Sequence, residues 1–153
     1  MSMNIDETDR RILAFLQKDA SRSLDALSEA VHLSRNACWR RIKQMEDAGV
    51  IVARIARLDP EALGLGLSVF VMLRAKEHSE DWLKRFRAAV SEMPEIVGAF
   101  RMSGEIDYML RVRVGSVGEY DRFYQRFIQK VPSADVSASF AMEEIKDTTA
   151  LPL

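Results

Sequence analysis

The chain is poor in the residues on which metal sites, disulfides and most covalent catalysis depend. Its 153 residues include one cysteine, Cys38, and two histidines, His32 and His78. A single thiol excludes an intramolecular disulfide and any zinc site built on several thiolates, and two isolated histidines make no metal constellation. Neither a glycine-rich phosphate loop nor a paired nucleophile and base is found, so no catalytic residue, metal ligand or cofactor is expected. A long apolar run is also missing. The longest, around 63–73, is too short to span a bilayer and is broken by Gly64 and Gly66. The first eleven residues are polar and acidic, unlike a secretory leader. A soluble, cytoplasmic protein without membrane contact is expected.

An excess of either sign of charge is missing too. The net charge of −1 argues against a wholesale polyanion binder, so any basic surface must be local. Residues 1–60 carry 10 Lys/Arg against 9 Asp/Glu, and residues 61–153 carry 12 against 14. Within the first part the cations concentrate in 34–44, SRNACWRRIKQ, which holds four of them and no acid. Cys38, Ile42 and Met45 fall at i, i+4 and i+7 and share one helix face. Arg35, Trp39, Arg40 and Lys43 project elsewhere, with Arg41 towards an edge. A helix anchored by one stripe and cationic over most of the remainder is suited to lie against a polyanion.

The surroundings of that helix give it a context. A first helix is predicted over 6–18, with Ile12, Leu13 and Leu16 inward and acids in its first turn, where the helix dipole favours them. Ser23 caps a second helix over 24–31, His32 and Leu33 make a turn, and Ser34 caps the basic third helix, which Gly49 stops. This is the layout of a helix-turn-helix reader of the DNA major groove. The β-rich run 50–58 then suggests a wing-like strand leading to Asp59-Pro60. Residues 1–50 read as the DNA-binding domain, 51–64 as a strand linker and 65–153 as a sensing and oligomerisation domain.

The second half follows another pattern. Leu67, Val69, Val71 and Leu73 alternate with more polar or outward positions, a strand. A helix over 79–93 follows, with Leu83, Phe86 and Val90 inward. Strands over 96–102 and 108–114 flank a turn at Gly104. Ser116 and Glu119 form an S-x-x-E capping signal for a helix ending before Pro132, and 136–142 is the last strand. The order βαββαβ, with both helices closed by an apolar residue and proline, predicts a ferredoxin-like sheet of four antiparallel strands with two helices on one face. Phe70, Met72, Met109 or Phe140 are candidates for the uncovered face, and such a face predicts a sheet-to-sheet dimer. The fold class is α+β.

Taken together, LSRNACWRRIKQMEDAGVI (33–51), LDPEALGLGL (58–67), RMSGEIDYMLRV (101–112) and SFAMEEIK (139–146) resemble the Lrp/AsnC, or feast/famine, family of transcription regulators. The resemblance implies a winged helix-turn-helix joined to an effector domain that dimerises, commonly on to octamers, and binds small amino acids between effector domains. It places effector contacts at Ser103, Gly104, Asp107 and Tyr108, with Ser139, Phe140 and Ala141 opposite. Asp107 offers a carboxylate for an ammonium, and a glycine turn permits close approach to backbone N–H groups. WRRIKQMEDAGV, GEIDY and TTALPL are most similar to the branch that senses cysteine. The chain departs from the family at His32, where glycine is usual, and at Ser28, where alanine is.

Several alternatives stand beside these readings. Ser34, Arg35, Asn36, Trp39, Arg40, Arg41 and Lys43 are the expected contacts to double-stranded DNA, with Arg35 and Asn36 reading bases and Arg40, Arg41 and Lys43 clamping phosphates. The bland alternative is a solvated charged face. Trp39 fits either packing on the sugar-phosphate backbone or covering the domain edge. Cys38 on the apolar stripe reads as core, and His32 and His78 as turn and surface residues. Tyr120, Phe123, Tyr124 and Phe127 have core spacing. Asp107 could pair with Arg101 or Arg111 instead of a ligand, and Glu143 and Glu144 fit surface or interface roles. An amino-acid sensor without DNA contact, or a small ferredoxin-like enzyme, are the competing functions; the enzyme lacks catalytic pairing.

Overall fold

The computed structural model describes residues 3–76, 79–132 and 134–153, so His78 lies outside the described residues. The chain divides into two compact units, one of Met1–Arg57 with Lys146–Leu153 and one of Leu58–Ile145. The tail, expected with the C-terminal domain, thus clusters with the first unit.

Three helices form the first unit: α1 (Glu7–Lys18), α2 (Leu24–Val31) and α3 (Arg35–Asp47). Their starts are set by side chains that satisfy otherwise orphaned N–H groups. Ser23 accepts from Ala26 N and Ser34 from Ala37 N. Asp6 and Asp9 cap α1 reciprocally, each carboxylate accepting the other's backbone N–H. Ile12, Leu27, Val31, Cys38, Ile42 and Met45 form the buried core. Burial pushes the Cys38 thiol up, which keeps it protonated and makes it a small apolar filler. Between α2 and α3 His32 adopts the left-handed conformation, φ 56° and ψ 47°, the backbone that a glycine would take more easily.

The run 50–58 forms no strand within the chain. Its β-branched residues favour extended backbone, but a strand needs a neighbour to take its N–H and C=O groups, and none of the described strands pairs with it.

The second unit is a four-stranded antiparallel sheet in the order β2-β3-β1-β4, built from β1 (Leu67–Ala75), β2 (Ile96–Arg101), β3 (Tyr108–Val114) and β4 (Ala134–Phe140). Helices α4 (Glu80–Glu92) and α5 (Val117–Lys130) pack on one face. Val69, Val71 and Leu73 of β1 and Leu110 and Val112 of β3 meet Phe123 and Phe127 there, all fully buried. The inward stripe of α4 is Trp82, Phe86 and Ala89, with Leu83 and Val90 at its flanks, one step round from the expected centre. Trp82 stacks on Phe86 at 5.3 Å between ring centroids and donates its indole N–H to Pro132 O at 2.9 Å. Ser116 caps α5 as expected, but the Glu119 carboxylate accepts from Gly115 N, one residue earlier than a capping box requires.

The register decides the open face. Phe70 pairs with Arg111 and Ser139, and Met72 with Met109 and Ser137, so these share the uncovered side. Phe140 pairs with Val69 and belongs to the helix side, where its ring meets Tyr120 edge-on at 5.3 Å. The expectation that it might face outward is corrected by that one-residue parity.

Candidate nucleic-acid interface and effector site

The buried stripe of α3 fixes which side chains it presents. With Cys38, Ile42 and Met45 inward, Asn36, Arg40 and Lys43 lie on the opposite side, all exposed, and Arg35 and Trp39 flank them towards α2. Among the described residues Arg40 pairs with no carboxylate. Lys43 holds Asp47 one turn on at 3.0 Å, and Arg35 approaches Asp25 of α2 at 3.6 Å; both pairs are exposed. Solvent-exposed pairs of this kind exchange readily for another anion. Trp39 is 61% exposed and walls a cleft of about 240 Å³ with Leu24, Leu27 and Lys43.

Arg41 departs from the expectation. Its Nη1 lies 2.8 Å from both Asp6 Oδ2 and Asp9 Oδ1, and the Asp9 carboxylate is almost wholly buried. The guanidinium raises its own pKa through these bonds and, after the Asp9 backbone N–H, helps hold Asp6 below the usual carboxylate range. Arg41 therefore clamps α3 to the start of α1, a role the expectation of a phosphate clamp did not include. The sequence signal was its place at the edge of the apolar stripe, next to the side that α1 covers.

The expected effector residues fall into two groups. Gly104 (φ 115°), with exposed Ser103, makes the turn between β2 and β3. Asp107 ties this turn to the end of β1: its N–H donates to Leu73 O, its carbonyl accepts from Met102 N, and its carboxylate accepts from Ala75 N at 2.8 Å. Tyr108 points into the core, its ring 4.5 Å from that of Phe86, so its aromatic face is taken. At the other end of β1, Ala141 N donates to Ser68 O, with Ser139 on the open face and Phe140 on the helix face. Ser68 and Leu73 are five strand residues apart, about 17 Å. One copy does not bring the two groups to a single amino acid.

A further pair of cations, missed in the sequence, lies on the open face. Glu144 accepts from Arg113 at 2.7 Å and from Arg111 at 3.3 Å, and the Arg113 contact foremost holds its carboxyl below the usual range. Alternation placed both arginines on that face, but no sequence period foretold that the segment after β4 would return a carboxylate to them. Among the described residues no group of three or more His, Cys, Asp and Glu is arranged to hold a metal, and no helix is long and apolar enough to cross a membrane.

Comparison with known proteins gives two family matches along the chain. Residues 5–52 fit the model of a winged helix-turn-helix DNA-binding domain, and residues 68–151 that of the Lrp/AsnC ligand-binding domain. The chain is 49% identical over 150 residues to the DNA-binding transcriptional activator DecR of Escherichia coli K12, covering 97% of this chain and 99% of the relative. The structure of an AsnC family transcriptional regulator from Agrobacterium tumefaciens superposes with a TM-score of 0.93 at 50% identity, covering 96% of each chain. A Neisseria meningitidis regulator solved as a complex with L-Met does so at 0.92, with 35% identity and 97% of each chain covered. Its relatives are regulators and not enzymes. The chain belongs to the Lrp/AsnC family of DNA-binding transcriptional regulators.

Proposed function

We propose that α3 reads DNA through Asn36 and Arg35 and holds phosphates through Arg40 and Lys43, with Ser34 donating from its N-terminus and Trp39 packing beside the backbone. The observation that carries this is the exposed side of α3, on which Arg40 stands opposite the buried Cys38–Ile42–Met45 stripe. Two copies related by a two-fold axis would place their third helices in successive major grooves, about 34 Å apart. The apolar open face with Phe70, Met72 and Met109 supports a dimer made sheet to sheet, with assembly beyond that to an octamer as the larger form. The cytoplasm is its place of action.

The effector is a small amino acid, with cysteine the first candidate from the GEIDY and TTALPL motifs. L-Met in the meningococcal relative supports the ligand class. Because the Ser103–Gly104–Asp107–Tyr108 group and the Ser139–Phe140–Ala141 group lie at opposite ends of one sheet, the pocket is completed by a second copy. Such a ligand shifts DNA binding only through a difference in affinity between assembly states, of about 1–3 kcal/mol.

A binding titration on the DNA upstream of the protein's own gene tests the interface. Arg40→Ala should weaken binding on every sequence and lower the salt slope by about one per copy bound. An unchanged slope removes Arg40 from the interface. A thermal-shift screen of the twenty amino acids tests the effector: stabilisation by cysteine that is lost with Gly104→Val supports the site, and no response to any amino acid removes it.

A further inference from the structure

Beside the exposed side of α3 lies the cleft that Trp39 walls, built wholly from residues of the helical unit. Its floor is apolar: Leu24, Leu27 and Ile42 line it, the last two belonging to the buried core. Its rim is cationic, with Arg22, Lys43 and Arg54 against the one acid Glu46. Two of these cations are matched nearby, Arg54 by Glu46 at 2.8 Å and Lys43 by Asp47 at 3.0 Å. Arg22 is different. Its guanidinium sits 5.1 Å from the centre of the Phe15 ring, a cation–π contact that steadies it, and among the described residues it pairs with no carboxylate. An indole ring in water thus stands over an apolar floor beside a guanidinium without an anion. A run of phosphates matches the rim alone, whereas the floor and the indole gain only from an apolar body.

We propose that this cleft binds a small aryl carboxylate, its ring against Trp39 and the Leu24–Leu27 floor and its carboxylate on Arg22. The planar guanidinium offers a fork of N–H donors that a carboxylate accepts through both oxygens. At about 240 Å³ the cleft is smaller than the roughly 300–1,000 Å³ of a drug-sized pocket, so its occupant is a molecule of one ring and a short acid arm. Trp39 and Lys43 belong both to the cleft and to the side of α3 assigned to DNA, so the acid and a duplex compete for them. A ligand that binds the DNA-free unit better than the DNA-bound one lowers DNA affinity as it saturates. The helical unit thereby responds to a small acid through its own residues, without the effector groups of the sheet unit. The competition rests on the function proposed above; the cleft itself does not.

The chain has two tryptophans, and Trp82 is buried in the core of the sheet unit, so a ligand in the cleft is reported by Trp39. Added to the full-length protein, 3-phenylpropanoate should shift the emission to the blue, with half-saturation below about 1 mM. Its amide lacks the charge and sodium acetate lacks the ring, and each should bind at least about 10-fold more weakly. Arg22→Gln, exposed and outside the helices, should raise the half-saturation about 5–10-fold, with calorimetry as a check independent of emission. No saturable response, equal binding of the amide, or an unchanged half-saturation in Arg22→Gln overturns the site. In DNA titrations at matched ionic strength, the acid at ten times its half-saturation should weaken binding about 10-fold in the unsubstituted protein and about 2–3-fold in Arg22→Gln. Equal DNA affinity with and without the acid overturns the competition. If Arg22→Gln weakens DNA binding while the acid has no effect on emission or on DNA, the cleft serves the DNA backbone and the proposal falls. Failure of the unsubstituted protein to bind DNA would count against the proposed function, and the emission titration would still decide the cleft.

Discussion

Among the described residues the helical unit buries six apolar side chains, whereas the sheet unit buries fifteen, among them Trp82, Phe86, Tyr108, Phe123 and Phe127. Apolar burial contributes roughly in proportion to area, so the sheet unit holds itself together by its core. The helical unit, below the size at which a core alone suffices, leans on caps and on one ion triad that docks α3 against α1. The contrast teaches how to sort the cations of α3. One that meets a buried carboxylate belongs to the fold, and one that stands in water is available to a partner.

The sharpest break between the units comes from Trp82. Trp82→Ala removes a buried ring stacked on Phe86 and leaves Pro132 O without its donor, at a cost of about 3–5 kcal/mol. Hydrogen exchange should show the loss across β1, β3 and α4, with the amides of α3 keeping their protection. Loss of protection in α3 of the same size would mean that the two units unfold as one and that the comparison has no energetic content.

Next in size is the neighbouring pair on α3. Arg41→Ala strands the buried Asp9 carboxylate and should destabilise the helical unit by about 2–3 kcal/mol, whereas Arg40→Ala should leave the melting temperature within a degree or two and act on DNA binding alone. Equal stability of the two variants would return Arg41 to the DNA interface. The same triad gives a pH signature. Asp6 has a folded value below its usual 3.8, set first by the Asp9 N–H and then by Arg41. A depressed folded value contributes stability that is complete above the unfolded value and is lost as pH falls through the folded one. The stability gap between the unsubstituted protein and Arg41→Ala should therefore be widest near neutrality and narrow below pH 3.8. A gap that stays constant on acidification would show that packing, not charge, carries the Arg41 effect.

Most of both units was legible in the sequence because periodicity and capping are local. The 24–31 helix with Ser23 before it, the left-handed residue at His32 and the stop at Gly49 all follow from side chains acting within one turn of the backbone. The misses share a cause: each depends on a partner distant in sequence. Arg41 looked like a phosphate clamp because its neighbours are cations, while its carboxylates sit about thirty residues earlier. Residues 50–58 have the composition of a strand and no strand partner among the described residues. Phe140 faced the wrong way because one residue of register inverts a strand, and Gln17 gave no sign of its pairing with Leu151. The two groups of expected effector residues were read as lying opposite each other, and only the β1 register puts about 17 Å between them.

The smallest effect tests the helical unit at its tightest bend. His32 is exposed and holds φ 56°, ψ 47° at the C-terminus of α2, with its N–H turned back to Glu29 O and that of Leu33 to Ser28 O. A residue with a Cβ adopts this backbone at a cost of about 1–2 kcal/mol, and glycine avoids the clash while losing more freedom on folding. The net gain for His32→Gly is about 0.5–1 kcal/mol in the helical unit alone, visible as a raised melting midpoint of α1–α3 with the sheet unit unmoved. A loss of stability instead would mean that the imidazole makes a compensating contact at the turn. In that case the helix-turn-helix geometry owes something to the histidine itself, and not only to the two hydrogen bonds that close the turn.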